Sequence, residues 1–188
     1  MEKKIEAAID LSRFDNSWYR PGSLFKRTLW YFCNEIFLHT SLPYPSSLKR
    51  YLLRLFGARM GRNVVIKPNV RIKFPWLLQV GDNVWIGESV WIDNLCQIII
   101  GNNVCLSQEA YLLTGNHDFK SKAFDLIVKP IAIEDGVWVG ARAIVCPGVT
   151  LKSHSIITVG SVIQQDTEPY TIYRGNPAVT VRKREITR

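Results

Sequence analysis

Among the three histidines of this chain, His117 stands where chemistry is expected. It sits in the stretch TGNHDF, at the start of the long polar segment 115–131. An imidazole titrates near neutrality and takes a hydroxyl proton without costly charge separation. A loop histidine is also, often, an ordinary surface residue, so its position decides its interest. Trp138, in EDGVWVGA, is the second candidate, because an outward indole beside a loop stacks on a flat ligand. Its bland counterpart is a tryptophan covered by the loop itself. The third feature is the tail YRGNPAVTVRKREITR. There Gly175, Asn176 and Pro177 read as a turn, and Arg182, Lys183 and Arg184 follow as a solvated tail or as partners for phosphates. His39 and His154 read as surface or cap residues.

What must position these side chains is a repeat. An aliphatic residue recurs every six positions at Met60, Ile66 and Ile72, and again at Val80, Ile86 and Ile92. It returns at Ile100, Leu106 and Leu112, breaks, and resumes from Ile133 through Val139, Val145, Leu151 and Ile157 to Ile163. Four residues later comes a small or aliphatic side chain, as at Val64, Val84, Ala110, Ala143 and Ser161. A period of six is neither a helix face nor plain strand alternation. It fits a short strand and a tight corner, three of which close one coil of a triangular β-solenoid whose coils must stack to bury a core. Gly61, Gly81, Gly87, Gly101 and Gly140 follow the inward aliphatic, where glycine relaxes the backbone. The register slips by two residues twice, which predicts corner bulges at 77–79 and 97–99.

The chain divides into an N-terminal extension and helical cap (1–58), a repeat region (59–168) with a protruding loop (115–131), and a C-terminal turn and basic tail (169–188). Ser23 ends a turn that opens onto a helix from Leu24 to Leu38, and Ser46 caps a second helix through about Phe56. These helices close the open end of the solenoid, with peripheral membrane docking as a second role. The formal charge is +8, an excess that suits a solvated surface, an anionic membrane or a phosphorylated small molecule. No nucleic-acid motif accompanies it. Cys33, Cys96, Cys105 and Cys146 form no CxxC pair and no metal-ligand spacing with histidine, so free thiols in a reducing cytoplasm are expected. The N-terminus lacks a signal-peptide pattern.

Taken together, DLSRFDNSWYRPGS, VWIGESVWIDNL, LLTGNHDF, IAIEDGVWVGARAIVCPGVTL and IYRGNPA resemble the hexapeptide-repeat acyltransferases. Within them the chain is similar to O-acetyltransferases of the colanic-acid-cluster type, relatives of the maltose, galactoside and nodulation-factor enzymes. The resemblance implies a mainly β fold, a left-handed parallel β-helix with an N-terminal helical cap, and a homotrimer with sites between subunits. It implies acetyl-CoA as co-substrate, no metal, and a sugar or oligosaccharide acceptor, lipid-linked or not, from surface polysaccharide biosynthesis. It implies that His117 is the catalytic base, and that Trp138, Gly140, Ala141, Val159 and Arg182 contact the coenzyme. Gly87, Glu88, Asp93 and Asn94 fall near the acceptor positions of the sugar acetyltransferases. Two departures stand out: Gln164, Gln165 and Asp166 replace a stretch in which many relatives carry lysine, and Glu88 replaces a small or amide residue.

The mechanism expected is direct transfer, with His117 as base and the N–H of Gly140 or Ala141 as oxyanion donor. Rivals are an antibiotic or amino-sugar acetyltransferase, a metal-dependent carbonic-anhydrase-like solenoid, which needs several histidine ligands, and an inactive structural solenoid.

Overall fold

The computed structural model describes residues 8–187. Its body is a parallel β-solenoid with three faces. Sheet A stacks Arg59–Met60, Leu78–Val80, Ile98–Ile100, Ile131–Ile133 and Thr150–Leu151. Sheet B stacks Val65–Ile66, Trp85–Ile86, Cys105–Leu106, Trp138–Val139 and Ile156–Ile157, and ends in the antiparallel hairpin Thr171–Gly175 with Ala178–Lys183. Sheet C stacks Arg71–Ile72, Trp91–Asp93, Tyr111–Leu113, Ile144–Val145 and Val162–Ile163.

Each face carries one inward ladder drawn from the six-residue beat. Met60, Val80, Ile100, Ile133 and Leu151 are in register on sheet A. Ile66, Ile86, Leu106, Val139 and Ile157 align on sheet B, and Ile72, Ile92, Leu112, Val145 and Ile163 on sheet C. Apart from half-buried Met60, these side chains lie in the core, as do the small residues of the second inward position. Removing such a continuous apolar column from water is the main stabilising term of a stacked repeat.

Two local expectations are corrected. The extra residues of the first two coils lie at 73–77 and 93–97, just before the predicted bulges. Leu78–Val80 and Ile98–Ile100 are regular strands paired residue for residue. The corner is instead spliced by side chains. Buried Asn94 accepts from Phe74 N–H at 3.0 Å and donates to Phe74 C=O at 2.6 Å, while Thr114 Oγ1 accepts from Leu95 N–H at 2.8 Å. The glycines after the beat serve clearance rather than unusual dihedrals. A Cβ on Gly61 or Gly81 would sit 2.4 or 2.6 Å from atoms of the next coil. The left-handed corner positions fall mostly to other residues, among them Asn63, Asn83 and Asn103, with φ of 54°, 58° and 56°.

Two helices close the first coil, whose strand edges would otherwise be bare. Helix α1 (Leu24–Phe37) is capped by Ser23, whose side chain accepts from Lys26 N–H. Its Trp30 indole donates to Ile72 C=O at 2.8 Å and its Asn34 Oδ1 accepts from Ile72 N–H at 3.2 Å. Helix α2 (Ser46–Leu55) brings Lys49 to the carbonyls of Ile66 and Lys67, Arg50 to Val64 and Arg54 to Met60. Ser46 is not the cap expected: Pro45 holds that position, and the Ser46 hydroxyl accepts from Ile66 N–H at 3.0 Å. The exposed strand edge competes for it and wins. Burial lowers the Lys49 ammonium pKa, a cost that its two carbonyl partners offset in part.

Candidate active site

The segment after sheet C of the third coil is a β-hairpin, Gly115–His117 paired antiparallel with Leu126–Val128. His117 Nδ1 lies 2.8 Å from the carbonyl oxygen of Phe124. A carbonyl only accepts, so Nδ1 carries a proton and a lone pair can reside only on Nε2, which has no partner among the described residues. The imidazole stacks on the Phe124 ring with centroids 4.5 Å apart, and Phe14 of the N-terminal segment touches it at 5.7 Å. That segment is fastened to the hairpin by Asp10 N–H donating to Lys122 C=O at 2.8 Å. It is fastened to the coils by Tyr19 Oη donating to Leu95 C=O and by the Trp76 indole donating to Pro21 C=O. Neither Phe14 nor Phe124 belongs to the repeat, so no periodic signal in the sequence points to their contact with His117.

A second element lies at the corner between sheets B and C. Ser107, Gln108, Trp138, Gly140, Ala141, Thr158 and Val159 line a groove of about 350 Å³. The Trp138 indole donates to Ser107 Oγ at 2.8 Å, which fixes the ring while leaving it 46% exposed. The hairpin leaves from another corner, so it does not cover this tryptophan. Gly140 is needed here, since a Cβ would stand 2.7 Å from both Ile157 O and Val159 N. Its own N–H donates to Ile157 C=O at 2.7 Å, which removes it as an oxyanion donor. The Ala141 N–H donates to no acceptor among the described residues. Four of the five coenzyme candidates thus share one groove. Arg182, exposed on the terminal hairpin, lies on the outward row of sheet B that runs from Trp138 through Ile156 and Ile172. Three strand spacings put it about 14 Å along that row. Arg184, not Arg182, ties the tail down, donating to the carbonyls of Gly136 and His154.

The acceptor candidates are divided. Gly87 is buried in the B–C corner, where a Cβ would lie 2.8 Å from Gln108 N, and Glu88 beside it is exposed. Asn94 is consumed by the corner splice and offers nothing to a ligand. Asp93 lies at the base of a separate cavity of about 280 Å³ between α1 and sheet C, lined also by Arg27, Tyr31, Arg71 and Trp91. Lys73 Nζ is 3.0 Å from Asp93 Oδ1, a distance contact without hydrogen-bond geometry. Burial and this carboxylate push the Tyr111 phenol up to about 12.

Other chemistries find less. Burial raises the pKa of all four free cysteines, which disfavours a thiolate nucleophile. Among the described residues no three His, Cys, Asp or Glu side chains cluster as a metal site. His154 stacks on Tyr170 at 4.6 Å, and His39 bridges Glu35 and Arg71, so both are structural.

A triangular parallel solenoid, a histidine-bearing hairpin and an aromatic-rimmed groove define a class, the hexapeptide-repeat transferases. Comparison with known proteins narrows it. The chain is 37% identical over 179 residues to the Escherichia coli K12 protein named as the colanic acid biosynthesis acetyltransferase WcaF, covering 95% of this chain and 98% of that one. It superposes on the hexapeptide-repeat acetyltransferase VCA0836 of Vibrio cholerae with TM-score 0.77 and 26% identity, over 88% of this chain and 96% of that one. The acetyl-CoA complex of that protein matches with TM-score 0.72 and 27% identity, over 78% and 81% of the two chains. No protein-family profile matches. The chain belongs to the hexapeptide-repeat acetyltransferases, in the colanic-acid-biosynthesis branch.

Proposed function

We propose that this enzyme moves an acetyl group from acetyl-CoA to a sugar hydroxyl during surface polysaccharide biosynthesis, by direct transfer with His117 as general base. The observation that carries the reading is the Nδ1–Phe124 carbonyl bond, which sets the tautomer a base requires. In the step, the acceptor O–H gives its proton to His117 Nε2 and its oxygen attacks the thioester carbonyl. The C–S bond breaks, and the thiolate takes the proton back from Nε2, so coenzyme A leaves as the thiol. Ala141 N–H is the donor left for the oxyanion, worth about 10²–10³ in rate. Trp138, Gly140, Ala141 and Val159 hold the pantetheine arm and Arg182 meets the phosphates.

His117 and the groove belong to different corners of one chain, with sheet C between them. A homotrimer, in which the hairpin of one copy faces the groove of the next, supplies both halves of each site. Asp93, Glu88 and Gly87 remain the acceptor-side candidates. The test is transfer from acetyl-CoA to a panel of free, nucleotide-linked and lipid-linked sugars, with products read by mass spectrometry. Wild type is expected to O-acetylate a sugar, and His117→Ala to lose about 10²–10⁴ in kcat with coenzyme affinity kept. Near-normal turnover in that variant removes the base. Transfer only to an antibiotic or an amino group moves the enzyme to the rival acceptor classes.

A further inference from the structure

We propose that the outer face of the helical cap docks on an anionic lipid bilayer. The inner faces of α1 and α2 are used up in closing the first coil. What α1 turns outward is a stripe at helical spacing: Phe25, Leu29, Phe32 and Ile36, with Phe25 78% and Phe32 57% exposed and the other two about half. Helix α2 adds Tyr51 and Leu55, one turn apart and both more than half exposed. Both helices close the same end of the solenoid, α1 on the edge at Ile72 and α2 on the edges at Val64 and Ile66. Exposed Tyr31, on the same helix as the stripe, adds an amphipathic ring of the kind enriched where hydrocarbon meets water.

Charge selects the occupant. Residues 18–60 contain seven Lys and Arg against one acid, Glu35, a net of +6 out of the chain's +8. Of the seven, Lys49 is fully buried, Arg50 and Arg54 reach carbonyls of the first coil and Lys26 lies over the Trp76 ring, which leaves Arg20, Arg27 and Arg59 for the surface. A second copy pairing with this face would set like charges against each other. An exposed apolar stripe within a segment of net positive charge suits a helix lying in an anionic interface. No helix among the described residues is long and apolar enough to cross a membrane, so the contact is peripheral. The inference is independent of the acyl-transfer reading.

The test is co-sedimentation of the full-length protein with vesicles of phosphatidylcholine alone, or with about a third phosphatidylglycerol. Wild type is expected to pellet with the anionic vesicles, less so at high salt. Phe25→Ser with Phe32→Ser should weaken that partition about tenfold or more. Its circular dichroism, sedimentation mass and acetyl-CoA binding should be unchanged. Failure of wild type to bind, or binding indifferent to the double substitution, overturns the proposal. So does a change of assembly mass in the double variant, which would make the stripe a copy-to-copy contact.

Discussion

The carbonyl of Phe124 fixes the tautomer of His117 at 2.8 Å while the ring of the same residue stacks against the imidazole. Phe124 achieves both with a left-handed backbone, φ 55°. Phe14 adds a second aromatic contact, tilted by 54°, and reaches the ring from outside the repeat altogether. The N-terminal segment thus packs against the histidine proposed as base.

Phe14→Ala should lower kcat by about ten- to a hundredfold through loss of orientation. KM for acetyl-CoA should hold, and Phe14→Tyr should restore most of the rate. Steady-state kinetics with varied donor separates the parameters. A rise in KM alone would show that Phe14 serves binding instead.

Asn94 closes two backbone groups of Phe74 inside the core. Asn94→Ala leaves the buried Phe74 N–H without a partner and its C=O with only the Leu77 N–H, so unfolding free energy should fall by roughly 1–3 kcal/mol. Urea denaturation measures this directly. A loss below the error of extrapolation would mean that the corner relaxes to admit water.

Glu134 binds the Lys152 ammonium at 3.0 Å and accepts from Ser153 N–H at 2.8 Å. The Lys152 bond is the larger cause of its lowered carboxyl pKa; partial desolvation opposes it. A carboxyl whose folded pKa lies below its unfolded one stabilises the fold above the unfolded value. That contribution is lost as pH falls through the folded pKa. Glu134→Gln should thus melt below wild type at neutral pH, with the two Tm values converging in acid. A gap that persists in acid would assign the loss to packing rather than charge.

The solenoid was legible because the ladder positions from Ile66 to Ile163 are of one chemical kind and recur every six residues apart from two slips and one break. The bulges were placed too late because Leu78 and Ile98, which resume the strands, are themselves aliphatic and hide where the excess begins. Glycine was read through its dihedrals, whereas Gly81 and Gly140 are set by the distance to the next coil, a property no single segment displays. Gly87, Glu88, Asp93 and Asn94 were grouped by resemblance to acceptor positions, not by geometry. Six residues span a whole face of the triangle. Ser107 was readable in principle, since it occupies in its coil the position that Gly140 holds in the next. The contact of Phe14 with His117 was not, because the N-terminal segment carries no period.

On the proposed mechanism the groove beside Trp138 holds the acyl donor while His117 does the chemistry. Calorimetric titration with acetyl-CoA of wild type, Trp138→Ala and His117→Ala tests it most directly. The account predicts saturable binding at one site per chain, weakened about tenfold or more in Trp138→Ala and unchanged in His117→Ala. No saturable binding by the folded wild type, or binding indifferent to Trp138, would contradict it.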